Sequence, residues 1–473
     1  LDLDQWYLFC TDDFGNAISI IKDWTCRRRE IYDYNYGYRK IQVVDDYTLH
    51  VKAEDIDGTD MFDPFGVINE LNDHILTLSI TSGKINSVPS AIFNLKKART
   101  INLSRNTIET INLESFLNHT SLRLLNVSYN QITDLEVGKI AANSGYSSVD
   151  TIDLSHNAIK TIPNNYFRQF PKLLHLNLSH NYIKSFDILT FEELFLDHNY
   201  LTSIEDNNFN TMSKLEKLNI SSNRLTSIDN KSFDNLVALK ILDISNNKIN
   251  ALTRTMFRHN TNLQSFDISA NNISKIEPGA FEGKNIEHFV VHNNPVAGPL
   301  LKNTFLGISV EKLDLSVANI TELGSDLFDG QFKSLNFSRN SICKIHNTTF
   351  SKLTLLTDLD LSYNQLQSID FDMAYLNLSY FYINNNFIKK ITKNTFKPLP
   401  FLKTADLSNN AIKDIEMHSF EDLNELKSLI LNNNPLTIQN NAFNGMESLK
   451  TFNSSHSNLK DLETNVFNGT GSF

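Results

Sequence analysis

Cysteine is scarce in this 473-residue chain, occurring only as Cys10, Cys26 and Cys343. Three thiols cannot build a disulfide framework, so a buried apolar core has to hold most of the chain. Glycine is sparse as well, at 16 residues, and there is no G-x-S-x-G, no Walker loop and no H-E-x-x-H. Without a nucleophile, a base and an orienting group gathered in a cleft, an enzyme is not expected, nor is any cofactor. No apolar run approaches the roughly 20 residues that a membrane-spanning helix requires. The formal charge of −11 disfavours nucleic acid or an anionic membrane surface as the main partner. The one basic run, Arg27–Arg29, reads as a solvated face.

What the chain has in abundance is a period. The frame L-x-x-L-x-L-x-x-N-x-L appears as Leu215, Leu218, Ile220, Asn223 and Leu225, and again as Leu239, Leu242, Ile244, Asn247 and Ile249. Counted from the first apolar position, copies start at Ile75, Ala98, Leu122, Val149, Leu173, Phe191, Leu215, Leu239 and Leu263. They continue at Ile286, Val310, Phe332, Leu356, Leu378, Leu402, Leu426 and Leu449. Most steps are 22 to 24 residues; the exceptions are a 27-residue step from Leu122 to Val149 and an 18-residue step from Leu173 to Phe191. Such a period marks a stacked array that displays a long surface.

The L-x-L alternation is strand-like, with one apolar face and one polar face. Adjacent copies are expected to pair as a parallel sheet over a shared core. The Asn at position 9 carries both donors and an acceptor, which suits it to satisfy backbone groups where the chain turns out of the strand. A Phe near position 19, as in Phe116, Phe233, Phe257 and Phe420, is expected to fill the far side of the core. No copy can bury its own apolar face alone, so each depends on its neighbours.

These residues resemble the leucine-rich repeat family over residues 75–473. The period of about 24 with a Phe on the far side resembles the animal extracellular subtype, including Toll-like ectodomains and secreted insect leucine-rich immune proteins. The resemblance implies an α/β-type repeat solenoid, a curved horseshoe with a parallel sheet on its concave face. Residues 1–74 are then expected to form a small β-rich N-terminal cap, stapled by a Cys10–Cys26 disulfide. The resemblance also implies an extracellular protein-binding scaffold, with a recognition or receptor ectodomain in innate immunity or signalling as the leading reading. A cell-adhesion or neuronal-guidance ectodomain is one alternative, and a structural matrix component is another. The expected partner is a protein ligand or co-receptor, and a homo- or heterodimer fits the same scaffold.

Asn-x-Ser/Thr sequons agree with secretion. Many arise from the repeat's own L-N-L-S wording, so the telling ones are Asn118, Asn230, Asn347 and Asn468, which fall outside the strand. Cys343 is left over, as a free thiol or as a bridge to another chain. Phe473 would be the first apolar position of a next copy, so the array is expected to continue beyond it, and any membrane attachment is assigned there.

Positions 2, 3, 5, 7 and 8 are expected on the concave side, and position 8 is read as having no fixed structural role. Position 5 is usually Asp or Asn and position 7 usually Ser. Phe195, Val290, Tyr382 and Ile430 depart from this at position 5 and should place apolar groups on the open sheet; Tyr380 lies beside Tyr382. These are candidate anchors for a protein partner. His156, His180 and His198 share position 8 of successive copies, with His175 at position 3 of the middle one. Stacking should bring the three into one column. Three readings of the column stay open: a pH-sensitive contact, a metal site and plain surface filling.

Overall fold

The structure, a computed structural model, describes residues 75–136, 147–164, 166–186, 191–206, 208–296, 298–300, 302–438 and 441–457, together with the backbone of five strands within the first 52 residues. Cys26 and Asn468 lie outside these residues, and so does the expected Cys10–Cys26 pairing. The five early strands are Trp6–Thr11, Ala17–Ile20, Arg29–Asp33, Ile41–Asp45 and Thr48–Lys52. They pair antiparallel in the order Ala17–Ile20, Trp6–Thr11, Arg29–Asp33, Ile41–Asp45 and Thr48–Lys52, and Thr48–Lys52 runs parallel to Thr77–Thr81. From there on, strand pairing in the sheet is parallel.

Two compact units make up the chain. The first comprises Leu1–Thr202 with Asn207–Arg224, and the second Ser203–Asp206 with Leu225–Phe473. In the first unit, the strands Thr100–Asn102, Leu124–Asn126, Thr151–Asp153, His175–Asn177, Glu193–Phe195 and Lys217–Asn219 pair in sequence order. In the second, the order runs from Ile241–Asp243 through Ser265–Asp267 and onward to Thr451–Asn453. Position 3 always faces position 3, as in Thr151, His175, Glu193 and Lys217. The fold is therefore a leucine-rich repeat solenoid with a parallel sheet. Away from the sheet the chain returns through turns and short 3-10 segments such as Leu113–Phe116 and Tyr166–Gln169, with no α-helix among the described residues.

Burial explains the repeated letters. Leu218, Leu242, Leu359 and their equivalents at position 4 are sealed from solvent, each contributing about 2 kcal/mol by removing its side chain from water. The phenylalanines stack behind them: Phe233 on Phe257 at 5.7 Å, Phe396 on Phe420 at 5.2 Å, and Phe420 on Phe443 at 5.5 Å. Phe305 and Phe443 join this spine from positions 20 and 18, outside the strict frame. The Asn of position 9 does what its chemistry suggested. Asn130 donates to Leu103 O in the preceding copy at 3.0 Å and to Val127 O at 2.9 Å, and its Oδ1 accepts from Ile108 N at 3.1 Å.

Position 8 departs from the expectation. From Arg105, Tyr129, His156, His180 and His198 to Asn385 and Asn433, it takes a left-handed backbone with φ between about 50° and 60°. Its N–H then donates to the position-7 carbonyl of the next copy, as in His156 to Ser179 O at 2.9 Å and Asn385 to Ser408 O at 2.9 Å. The backbone of this position is fixed throughout the array and only its side chain is free. Position 7 differs too: Ser128, Ser155, Ser179 and Ser408 are buried, not displayed.

One histidine sits inside the first unit. His119 is 1% exposed; its Nδ1 lies 3.2 Å from Leu95 O, and Nε2 has no partner among the described residues. Burial holds its pKa below the ordinary 6.5, outweighing the opposing pull of the Leu95 carbonyl. The unfolded chain therefore binds the proton more readily, and folding stability should fall as pH drops below 6.5. Urea denaturation across a pH series should show the advantage of the wild type over His119→Gln shrinking below that value. A pH-independent gap would show that His119 does not titrate against the fold.

Candidate functional site

The polar face of the sheet is built from a coupled pair of residues. At position 5, the Asn or Asp carbonyl or carboxylate oxygen accepts from the N–H of position 7: Ser128 N to Asn126 at 2.9 Å, Ser269 N to Asp267 at 2.8 Å, Ser362 N to Asp360 at 2.8 Å. Where position 5 is Asn, the serine hydroxyl can add a second bond, at 2.7 Å in Ser128 and 2.8 Å in Ser179. The pair thus closes the turn out of the strand locally. At Phe195, Val290 and Ile430 no side-chain acceptor exists, and in all four departing copies position 7 ceases to be serine, becoming Asp197, His292, Asn384 and Asn432. Both letters of the pair change together.

The four departures are half-buried rather than open. The Lys217 ammonium lies 4.8 Å over the Phe195 ring. Val290 stands between Asp267 and Asp314, and Ile430 between Asp406 and Asn453. The structure does not gather these residues into one patch. Phe195 belongs to the first unit, and Val290, Tyr382 and Ile430 lie on separate strands of the second.

Tyr380 and Tyr382 do form a local feature. Both sit on the strand Tyr380–Tyr382, with Tyr380 39% exposed. In register, Tyr380 faces Asp358 and Thr404, and Tyr382 faces Asp360 and Asp406. Burial, then the charge of Asp358, then Tyr380, Asp360 and Asp406, push the Tyr382 hydroxyl pKa upward. Two exposed aromatics on the same part of the second unit escaped the sequence reading: Tyr363, at position 8 with the Arg339 guanidinium 4.6 Å from its ring, and Phe387, at position 10 and 56% exposed. Position 8 and position 10 point outward in other copies as well, so this signal lay in the frame and not in any motif.

The first unit carries the histidine column as a continuous stack. Tyr129 lies on His156 at 3.9 Å, His156 on His180 at 4.0 Å, and His180 on His198 at 4.0 Å, with interplanar angles of 11°, 12° and 18°. Arg105 extends it, 4.7 Å from the Tyr129 ring. Burial and the neighbouring imidazoles of His198 and His156 lower the pKa of His180. Asp197 Oδ2 lies 3.2 Å from His198 Nδ1, and Glu193 Oε2 lies 3.2 Å from His175 Nδ1. A parallel column at position 10 holds Tyr182 and Tyr200, 5.5 Å apart, with Arg224 stacked 3.9 Å over Tyr200. His175 stays out of the stack, because position 3 belongs to the strand.

Among the sequon asparagines outside the strand, Asn118, Asn230 and Asn347 are exposed. Cys343 is free and exposed, its Sγ 3.5 Å from Thr321 O. No helix among the described residues is long and apolar enough to cross a membrane.

An in-register ladder of short strands, a buried asparagine ladder and an outer face carrying scattered aromatics define a repeat scaffold whose chemistry is surface display. The leucine rich repeat family model matches residues 73–132, 141–188, 190–249, 237–296, 308–366 and 377–436, and the chain belongs to that family. Among curated proteins it is similar to fibromodulin from Oryctolagus cuniculus, at 31% identity over 135 residues, covering 27% of this chain and 87% of that sequence. It is also similar to lumican from Bos taurus, at 32% identity over 151 residues, covering 30% of this chain and 42% of lumican. Among solved structures, it shares its fold with a chain of the Drosophila Toll–Spatzle complex at a TM-score of 0.60 and 16% identity, covering 91% of this chain and 57% of that one. A leucine-rich repeat protein of Leptospira interrogans gives a TM-score of 0.55 at 19% identity, covering 77% of this chain and 84% of that one. The chain thus spans little more than half of the Toll-complex chain and less than half of lumican.

Proposed function

We propose that this chain is an extracellular recognition scaffold that docks a protein partner on the second unit's sheet at Tyr380 and Tyr382. The observation that carries the reading is the register: two aromatic side chains on one strand, flanked by Asp358, Asp360 and Asp406 on the strands either side. Aromatic anchors supply contact area at low entropic cost, and the carboxylates select a partner presenting Lys or Arg between apolar side chains. The Toll chain whose fold it shares was solved with Spatzle bound, and we extend protein binding, though not the ligand, to this chain. The receptor or innate-immune role and the exposed sequons belong to the same reading.

A photo-crosslinking residue placed at position 382 identifies the partner, whose affinity is then measured directly. The double variant Tyr380→Ser/Tyr382→Ser should weaken binding by at least about 30-fold, as the loss of two hot-spot side chains costs roughly 2 kcal/mol or more, while leaving the circular dichroism spectrum unchanged. Asp360→Asn with Asp406→Asn should slow association and flatten its salt dependence. Unchanged affinity in the tyrosine variant removes this patch.

A second reading, a structural matrix component, is favoured by the identity shared with fibromodulin and lumican. Exposed Cys343 then joins two copies, and a covalent dimer on a non-reducing gel that vanishes in Cys343→Ser separates this reading from the first.

A further inference from the structure

We propose that His180, Asp197 and His198 form a binding site for one divalent transition-metal ion of the zinc class. The donor atoms of these three side chains all lie within 4.8 Å of one another. Around a tetrahedral zinc with bonds of about 2.1 Å, ligand atoms stand roughly 3.4 Å apart. Closing the difference falls to rotation about side-chain bonds, because main-chain hydrogen bonds hold the backbone of both turns. The two imidazole rings now stack face to face, 4.0 Å between centroids. Each has to tip about its own χ2 so that both ring edges meet the ion in plane.

The backbone beneath is already fixed. His180 and His198 occupy the same left-handed turn of successive copies, with φ of 54° and 53°. Their N–H groups donate to Asp197 O at 2.9 Å and Ser221 O at 3.0 Å, so the turns are tied to one another through the main chain. Asp197 stands at position 7, where most copies carry serine and none of the other departing copies carries a carboxylate; it is half-buried and lies 3.2 Å from His198 Nδ1. A carboxylate there follows from the loss of the polar residue at Phe195, which frees position 7 from its usual partner. Two imidazoles and one carboxylate suit zinc, copper or nickel, and offer too few oxygens for calcium. Three protein ligands also leave a fourth position for water or for a group from a partner. The ion would join the two turns on either side of the 18-residue step, the shortest in the array.

The test is isothermal titration of the whole chain with zinc chloride at neutral pH, and with calcium chloride as the contrast. The expected result is one zinc per chain with micromolar or tighter affinity and no calcium binding. His180→Asn and His198→Asn should each weaken zinc binding by at least roughly a hundredfold, the upper end of what even an outer-shell partner is worth. Asparagine is a native choice at this turn, as in Asn246, Asn385 and Asn409, so these variants keep the fold, which circular dichroism verifies. His175→Asn, beside the stack but outside the cluster, should bind as the wild type does. Cobalt(II) should give the intense visible absorption of a tetrahedral centre, lost in the same two variants. Absence of saturable zinc binding, or equal binding in His180→Asn and wild type, overturns the proposal. Equal losses in His175→Asn and His198→Asn also overturn it, because they describe diffuse binding to surface histidines.

Discussion

Replacing Asn271 by leucine should destabilise the second unit by about 4 kcal/mol, although leucine has the same branched heavy-atom skeleton as asparagine and is at home in an apolar core. Asn271 is 5% exposed. Its Nδ2 donates to Ile244 O at 3.0 Å, Ile268 O at 3.0 Å and Ser269 O at 3.1 Å, while its Oδ1 accepts from Ile249 N at 3.1 Å. Leucine leaves these backbone groups buried without partners, and each orphaned group costs about 1–3 kcal/mol. The gain in apolar burial offsets only part of that. Because a repeat array need not unfold in one step, the sharper readout is local. Hydrogen exchange at the Ile249 amide should accelerate far more than at amides several copies away, and the urea midpoint should fall. Asn246→Ala, at the exposed position 8 of the preceding copy, should cost under about 1 kcal/mol. Equal effects from the two substitutions would show that the ladder does not hold the turns.

Gly330→Ala should be comparably severe, at about 3–5 kcal/mol, from steric overlap and the backbone bonds it opens. A Cβ at Gly330 would overlap the Ile308 carbonyl oxygen outright. The chain on either side is bonded to the preceding copy, with Gly307 N donating to Asp329 O at 2.6 Å and Val310 N to Gln331 O at 2.7 Å. Relieving the overlap means separating the copies at those bonds. Gly283→Ala is the informative contrast: nothing lies within 4 Å of its added Cβ, but its φ of +75° is strained for any L side chain. It should cost about 1–2 kcal/mol. Thermal denaturation of the two variants side by side decides the matter, and a Gly330→Ala protein no weaker than Gly283→Ala would refute the close approach.

The parts of the fold that sequence made plain are those where one residue type has a single job. Leu218 and Leu242 could only face inward, and Asn130 and Asn223 carried the donor–acceptor pattern that an inter-copy turn needs. The coupling of Asn126 with Ser128, or of Asp267 with Ser269, was present in the letters. It read as repeat wording because a hydrogen bond between positions two apart leaves no periodicity of its own. Position 8 was hidden for a different reason. Arg105, Tyr129 and Val317 are not residues that announce a left-handed backbone, and here the inter-copy hydrogen bond overrides their local preference. The histidine column was readable from spacing, since parallel register has to stack like positions. That Asp197 joins it depends on the departure at Phe195, a pairing visible only once the position-5 and position-7 bond is known.

The left-handed turn has a consequence for how such a surface changes over time. Every described copy takes that turn whatever residue stands there, and even the β-branched Val317 is accepted, 44% exposed. Selection on the side chain at that position is therefore almost independent of selection on folding. A run of arginine, tyrosine and histidine can be rewritten one rung at a time, at constant core and constant register. Two chains could share every inward leucine and asparagine of this array and recognise nothing in common.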